Sequence, residues 1–407
     1  MLSPTPISLL CALLLCLPLA IVFTITTSPT TTTVTSESTT TSIPSSMTLC
    51  TSTTNRTSSQ SVASFQPLIK TMQKPMKKNK TTTTSPPQTP RPPFQEEDDN
   101  SLFQLAGRVN PNPKSINSPK KLAFMFLTTS PLPLAPLWEL YFNTTPKNLY
   151  NIYIHADPSF NYTQPFQGVF TGRVVSSKPT SRFSPTLISA ARRLLAHALL
   201  HDSSNYMFAL LSPSCIPLHS FNFTYRTLTK SKKSFIEILN HEGGAFDRWA
   251  ARGLQAMLPE VQFKEFRIGS QFFVLTRRHA RIVVRDRRLW SKFKLPCLDR
   301  TTCYPEEHYF PTLLSMMDPR GCVPATLTHV DWRGQHDGHP RTYHTDEVGP
   351  ELIRTLRMDM PRYGDDGTNG SDLSVMKRRD PFLFARKFSP DSIGPLMEIA
   401  NDVIFKN

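Results

Sequence analysis

From Lys121 to Leu239 the sequence alternates short apolar runs with longer stretches of helical spacing. That alternation narrows the fold more than any other feature, because strands and helices taken in turn build a mainly parallel α/β sheet. KLAFMFL (Lys121–Leu127) is a short apolar run consistent with a buried strand, and LYNIYIHAD (Leu149–Asp157) is a second. PLPLAPLWELYF, between them, reads as a helix entered through prolines. GRVVSS fits a third strand, and PTLISAARRLLAHALL a helix that starts after Ser184 as N-cap. YMFALLS (Tyr206–Ser212) is the fourth strand, and SFIEIL at 234–239 suits another. Residues 119–240 therefore look like a nucleotide-binding half. Neither GxGxxG nor GxxxxGK[ST] follows the first strand, so dinucleotide and P-loop readings find no support.

What precedes this body is different in kind. Ile7–Ile25 carries no charge, and its 19 residues reach about 28 Å as a helix, roughly the hydrocarbon thickness of a bilayer. The stretch is longer than a usual signal-peptide core and lacks a clean small-x-small cleavage site, which favours a retained anchor over a cleaved signal. Residues 26–118 are rich in Ser, Thr and Pro, then basic (KPMKKNK), then acidic (EEDD). Such a segment buries too little apolar surface to offset its ordering entropy, and reads as a disordered, O-glycosylated stem. The division expected is a cytosolic tail (1–6), a transmembrane signal anchor (7–25), the stem (26–118) and a lumenal domain (119–407).

Six Asn-x-Ser/Thr sequons, at Asn55, Asn79, Asn143, Asn161, Asn222 and Asn369, favour a lumenal body behind that anchor. Of the cysteines in the body, Cys215, Cys297, Cys303 and Cys322, no two have CxxC spacing, which argues against a zinc ribbon. An oxidising lumen permits one or two disulfides, and spacing does not fix their connectivity. The net charge is +15, of which +4 falls in residues 1–118 and +11 in the body. A basic body suits nucleic acid or a phosphorylated or acidic substrate; a lumenal one argues against nucleic acid and not against a nucleotide-sugar diphosphate or an acidic glycan.

The second half contributes GSQFFVLTRRHARIVV (Gly269–Val284), a strand running into a helix, then CYPEEHYFPTLL (Cys303–Leu314), LTHVDW (Leu327–Trp332), a polar loop at Tyr363–Ser374, DPFLFARKF (Asp380–Phe388) and an amphipathic C-terminal helix. Glu306 and Glu307 stand together behind Pro305. A helix start alone accounts for such a pair, since acidic side chains there complement the macrodipole. A catalytic carboxylate is the sharper reading. The run HVDWRGQHDGHPRTYH holds His329, His336, His339 and His344, but their spacing fits no standard zinc pattern.

Seven segments occur in a fixed order: KLAFMFLTTSPLPLAPLWELYF, YIHAD, ALLSPSCIPL, RIGSQFFVLTRRHA, YPEEHYFPTLL, THVDW and LFARKF. Together they resemble the core-2/I-branching β-1,6-N-acetylglucosaminyltransferase family (glycosyltransferase family 14), in its plant branch, over roughly 119–400. The resemblance implies a variant GT-A fold and inverting, metal-independent transfer from a UDP-sugar to a glycan, without a cofactor. It implies Glu307 as general base, with Glu306 in place of the usual Asp. It implies Asp157, Phe183, Arg354 and Lys387 on the donor side, the two cations standing in for a metal at the diphosphate. Glu237, Arg248 and Trp332 fall on the acceptor side, and His339–Pro340 matches a family pair after VDW. A turn role for Asp157, core packing for Phe183 and Trp332, and solvated cations for Arg354 and Lys387 are the structural alternatives. A type II Golgi enzyme follows, moving N-acetylglucosamine or glucuronic acid. A non-catalytic glycan-binding or scaffold protein of the same fold is the alternative; UDP binding and Glu307-dependent hydrolysis of a UDP-sugar separate the two.

Overall fold

A computed structural model describes residues 98–112, 118–143, 145–162, 166–334, 338–365 and 378–406. The expected anchor, most of the stem, and Asn55, Asn79, His336 and Asn369 lie outside these. Among the described residues no helix is long and apolar enough to cross a membrane.

The main sheet has the order β2-β1-β3-β6-β5-β7, with β1 (Lys121–Thr128), β2 (Tyr150–Ala156), β3 (Asn205–Leu211), β5 (Ser234–Phe235), β6 (Val274–Thr276) and β7 (Cys322–Val323). β1 pairs in parallel with β2 and β3, and β5 with β7; β6 is antiparallel to both its neighbours. The expected sheet is thus parallel-rich but mixed. The GRVVSS strand shrinks to one bridge, Ile154 to Val174, because only two apolar residues stand between polar ones.

β1 shows why its run is apolar throughout. Leu122, Phe124 and Phe126 enter one buried cluster, and Ala123, Met125 and Leu127 another, so both faces of the sheet are covered. On the first face lies α2 (Ala135–Asn143), whose Trp138 donates from Nε1 to the Cys215 carbonyl at 3.0 Å. On the second lies α3 (Thr186–His201), with Ser184 Oγ accepting from the Thr186 amide at 3.3 Å. A smaller sheet, β4-β9-β8, joins β4 (Ile216–Pro217), β8 (Thr328–Val330) and β9 (Phe384–Arg386).

The folded body begins before residue 119, which corrects the stem boundary. Asp99–Gly107 forms α1, capped by Asp98, whose carboxylate accepts from the Ser101 amide at 2.9 Å. Leu102, Phe103 and Ala106 are buried on it, and Asp99 pairs with Arg193 of α3, whose side chain is fully buried. An apolar stripe and a partner for a buried guanidinium outweigh the polar composition around them.

Cys297 and Cys303 form a disulfide, while Cys215 and Cys322 are buried thiols. Downstream of this link runs α8 (Pro305–Met317), which carries the two adjacent glutamates in its first turn.

Candidate functional site

A cleft of about 940 Å³ opens where β1 and β3 end. Thr128, the last residue of β1, and Thr129 line it, and Ser212 to Ser214 follow β3 into it. β2 and β3 lie on opposite sides of β1, so the cleft sits at the carboxyl ends of the strands where the order reverses, the usual ligand position in an open α/β sheet.

Glu306 and Glu307 reach this cleft from the first turn of α8, with Pro305 at its start. The pair thus stands at a helix N-terminus that opens onto a cavity. Glu307 Oε2 accepts from Arg248 at 3.2 Å, and the two side chains remain 31% and 27% exposed. Burial pushes the Glu307 carboxyl above the ordinary range, and the Arg248 charge works against that rise. Glu306 is more deeply buried, with one carboxylate oxygen lacking a hydrogen-bond partner among the described residues, and burial pushes it up to about 7. Arg248 comes from α5 (Ala245–Ala250), and its guanidinium lies over the Tyr304 ring at 5.1 Å.

Glu237 follows β5 into the same cleft, and burial raises its carboxyl to about 7 against the pull of Arg362. Its backbone is packed against Gly269, where an added Cβ would fall 2.1 Å from the Glu237 carbonyl oxygen. Only a glycine fits there, and the Gly269 amide donates to the Glu307 carbonyl at 2.9 Å. Glu237 and Glu307 are thus held through one residue. Trp332, beyond β8, also lines the cleft and is 56% exposed, so its indole is a wall and not core.

The other expected residues divide. Lys387 lines the cleft at the end of β9. Asp157 does not line it directly; it is buried and fastens the cleft wall, accepting from the Thr180 amide at 2.7 Å, the Thr180 hydroxyl at 2.6 Å and the Ser159 amide at 2.8 Å. Burial works to raise this carboxyl, but those donors hold it below the usual range. Phe183 stands behind the same wall with φ of 59°, a strained backbone for a non-glycine residue, and its ring meets Tyr304 edge-on at 5.3 Å.

Arg354 is elsewhere. It lies on the exposed side of α9 (Pro350–Met358), paired with Glu351 at 3.2 Å, and is not among the cleft residues. Its neighbour Arg357 is also engaged away from the cleft, donating to the carbonyls of Leu218, Val403 and Ile404. The cations that do face the cleft include Arg182 and Arg386. Burial lowers the Arg386 guanidinium from its ordinary value, its Nε has no hydrogen-bond partner among the described residues, and it lies over the Phe272 ring at 4.6 Å. Each sits one position from a residue that the resemblance singles out, Phe183 or Lys387.

Among the described residues no group of three or more His, Cys, Asp or Glu side chains is placed to hold a metal ion. His329 bonds to Asp359 at 2.9 Å, His344 faces Asp391 at 3.6 Å, and His339 stands beside Arg182.

A family model described as Core-2/I-Branching enzyme matches residues 122–357. The chain is also 31% identical over 301 residues to a rice (Oryza sativa subsp. japonica) protein named Glycosyltransferase BC10, covering 66% of this chain and 74% of that one.

Proposed function

Because the chain belongs to the Core-2/I-branching enzyme family, and is by that membership a glycosyltransferase, we propose that it moves a sugar from a UDP-sugar to a glycan hydroxyl with inversion, Glu307 acting as base. The observation that carries this reading is the pairing in one cleft of a raised carboxylate, Glu307, with a separate set of cations, Arg182, Arg386 and Lys387.

In the proposed step the acceptor oxygen attacks the anomeric carbon. The new oxygen–carbon bond forms as the bond from that carbon to the phosphate oxygen breaks. The acceptor proton passes to Glu307, and the bonding electron pair leaves with UDP. A raised carboxyl suits a base that must accept a proton near neutrality. Charge builds on the departing diphosphate, and fixed guanidinium and ammonium groups stabilise it without reorganisation. Trp332 offers a flat apolar face to a sugar ring, and Glu237 and Arg248 offer hydrogen bonds to its hydroxyls. The cations are the proposed substitute for a divalent metal. N-acetylglucosamine and glucuronic acid are the donors proposed, and the proposed setting is the Golgi lumen, with the protein anchored through residues 7–25.

A donor screen with the full chain tests this, run with and without EDTA. Turnover of one UDP-sugar, unchanged by chelator, is expected. Turnover of none, or activity that EDTA abolishes and manganese restores, would overturn the donor class or the cationic substitute respectively.

A further inference from the structure

A second concavity, of about 700 Å³, shares no lining residue with the catalytic cleft. It opens at the amino-terminal edge of β5, whereas Glu237 lies beyond the opposite end of that strand. Its walls carry Arg226, Lys230, Lys232, Lys233 and Arg378 against a single carboxylate, Asp380. Asp380 is already committed to Arg378, which it grips at 2.6 and 2.8 Å beneath the Phe235 ring.

Part of this charge has a structural reason. α4 (Phe221–Lys230) buries Phe221, Thr224 and Leu228 and turns Arg226 and Lys230 outward, and a cation in its last turn suits the macrodipole. That reason does not extend to Arg226, Lys232 or Arg378. Among the described residues no carboxylate pairs with Arg226, Lys230 or Lys232. A convex basic surface would simply be solvated. A concave one with low-dielectric walls concentrates its field and repels itself until an anion enters. Half-buried Phe223, whose other face stacks on His219, and Phe405 give the same pocket apolar faces, and Thr227 a hydroxyl, suited to a sugar ring.

We propose that this pocket is an accessory binding site for an acidic glycan, a run of sugars bearing carboxylates or sulfates, held by Arg226, Lys230, Lys232 and Lys233 while the transfer reaction proceeds at the distant cleft. The choice of a glycan as occupant rests on the function proposed above; the pocket and its charge do not. Asn222, one of the sequons, stands on the rim, so a glycan attached there would compete for the space.

The test uses the full chain carrying Asn222→Gln, so that no attached glycan caps the pocket. The probe is a fluorescent oligogalacturonate, compared with the same oligomer fully methyl-esterified and with phosphatidylserine vesicles. The acidic oligomer is expected to bind, with an affinity that falls as salt rises. Lys230→Glu with Lys232→Glu should weaken it by about tenfold or more, since two attractions become repulsions. Arg226→Gln should weaken it less, and serves if the double variant is unstable. Equal binding of the esterified oligomer, or unchanged binding by these variants, would overturn the proposal. Charge-dependent capture by the vesicles but not the oligomer would replace the glycan with a membrane surface. UDP binding and transfer to an uncharged acceptor, measured in parallel, keep failure of this site distinct from failure of the catalytic reading.

Discussion

Replacing Arg248 by Met removes the charge that hydrogen-bonds Glu307 and keeps most of the side-chain volume. At 3.2 Å the attraction between unit charges is about 1.3 kcal/mol in bulk water and about 5 kcal/mol at an effective dielectric of 20. With the two side chains 31% and 27% exposed, solvent holds the value toward the lower end. Losing that attraction should raise the Glu307 carboxyl further. The sign is fixed: burial already raises this group, Arg248 opposes the rise, and the variant loses the opposition. A base must be deprotonated to act, so the acidic limb of the pH profile moves to higher pH and activity recovers on the alkaline side. The assay is hydrolysis of the UDP-sugar across pH, which removes Arg248's expected role toward the acceptor from the reading. Arg248→Lys keeps the charge and should leave the limb near its original place. A limb that stays fixed in Arg248→Met, or moves to lower pH, would refute the electrostatic coupling.

Lys387→Ala, and separately Arg386→Met, should weaken UDP binding and slow transfer at least about tenfold, because a charge-assisted contact contributes roughly 1.5–3 kcal/mol; Arg354→Ala should change neither, and calorimetry with UDP checks all three. Asp157→Ala leaves two amides and a hydroxyl without their acceptor and should cost about 1–3 kcal/mol in denaturant unfolding. Because the Asp157 carboxyl is held low in the folded state, its contribution is present above the ordinary carboxylate range and is lost as pH falls through the folded value, so wild type and variant should converge in acid. Cys297→Ser opens a link between residues six apart, with a chain-entropy effect of about 2 kcal/mol; a loss of transfer exceeding the loss of folded protein would show that the link also steadies the start of α8.

The elements that were legible in the sequence are those whose pattern is local. β1 is a continuous apolar run and β2 one broken only by Asn151 and His155, both buried on both faces, and α3 repeats its apolar residues at helical spacing over four turns. β4, β5 and β7 have two residues each and exist only through distant partners, so no window of sequence contains their cause. α1 was hidden by its polar surroundings, although Asp98 and the spacing of Leu102, Phe103 and Ala106 were its signal. At the site, Glu307, Trp332 and Lys387 lay in the ordered motifs and Glu237 and Arg248 followed from the resemblance, and the fold gathers all five in one cleft. Arg354 came from the resemblance, as an Arg upstream of Lys387, and a sequence match does not say which way a helix turns a side chain. Arg386 lay inside LFARKF and Arg182 beside Phe183, but which neighbour faces the cleft depends on the register of β9 and on the turn at Phe183.

Glu307→Gln in the full chain gives the most direct measurement. Transfer to acceptor and affinity for UDP are determined on the same preparation. The amide keeps the shape of the side chain and its place in α8 but cannot take a proton. Transfer is expected to fall by about 10²–10⁴-fold, the usual contribution of a positioned base, with UDP affinity nearly unchanged. A variant that keeps most of its transfer rate would contradict the assignment of Glu307 as the base.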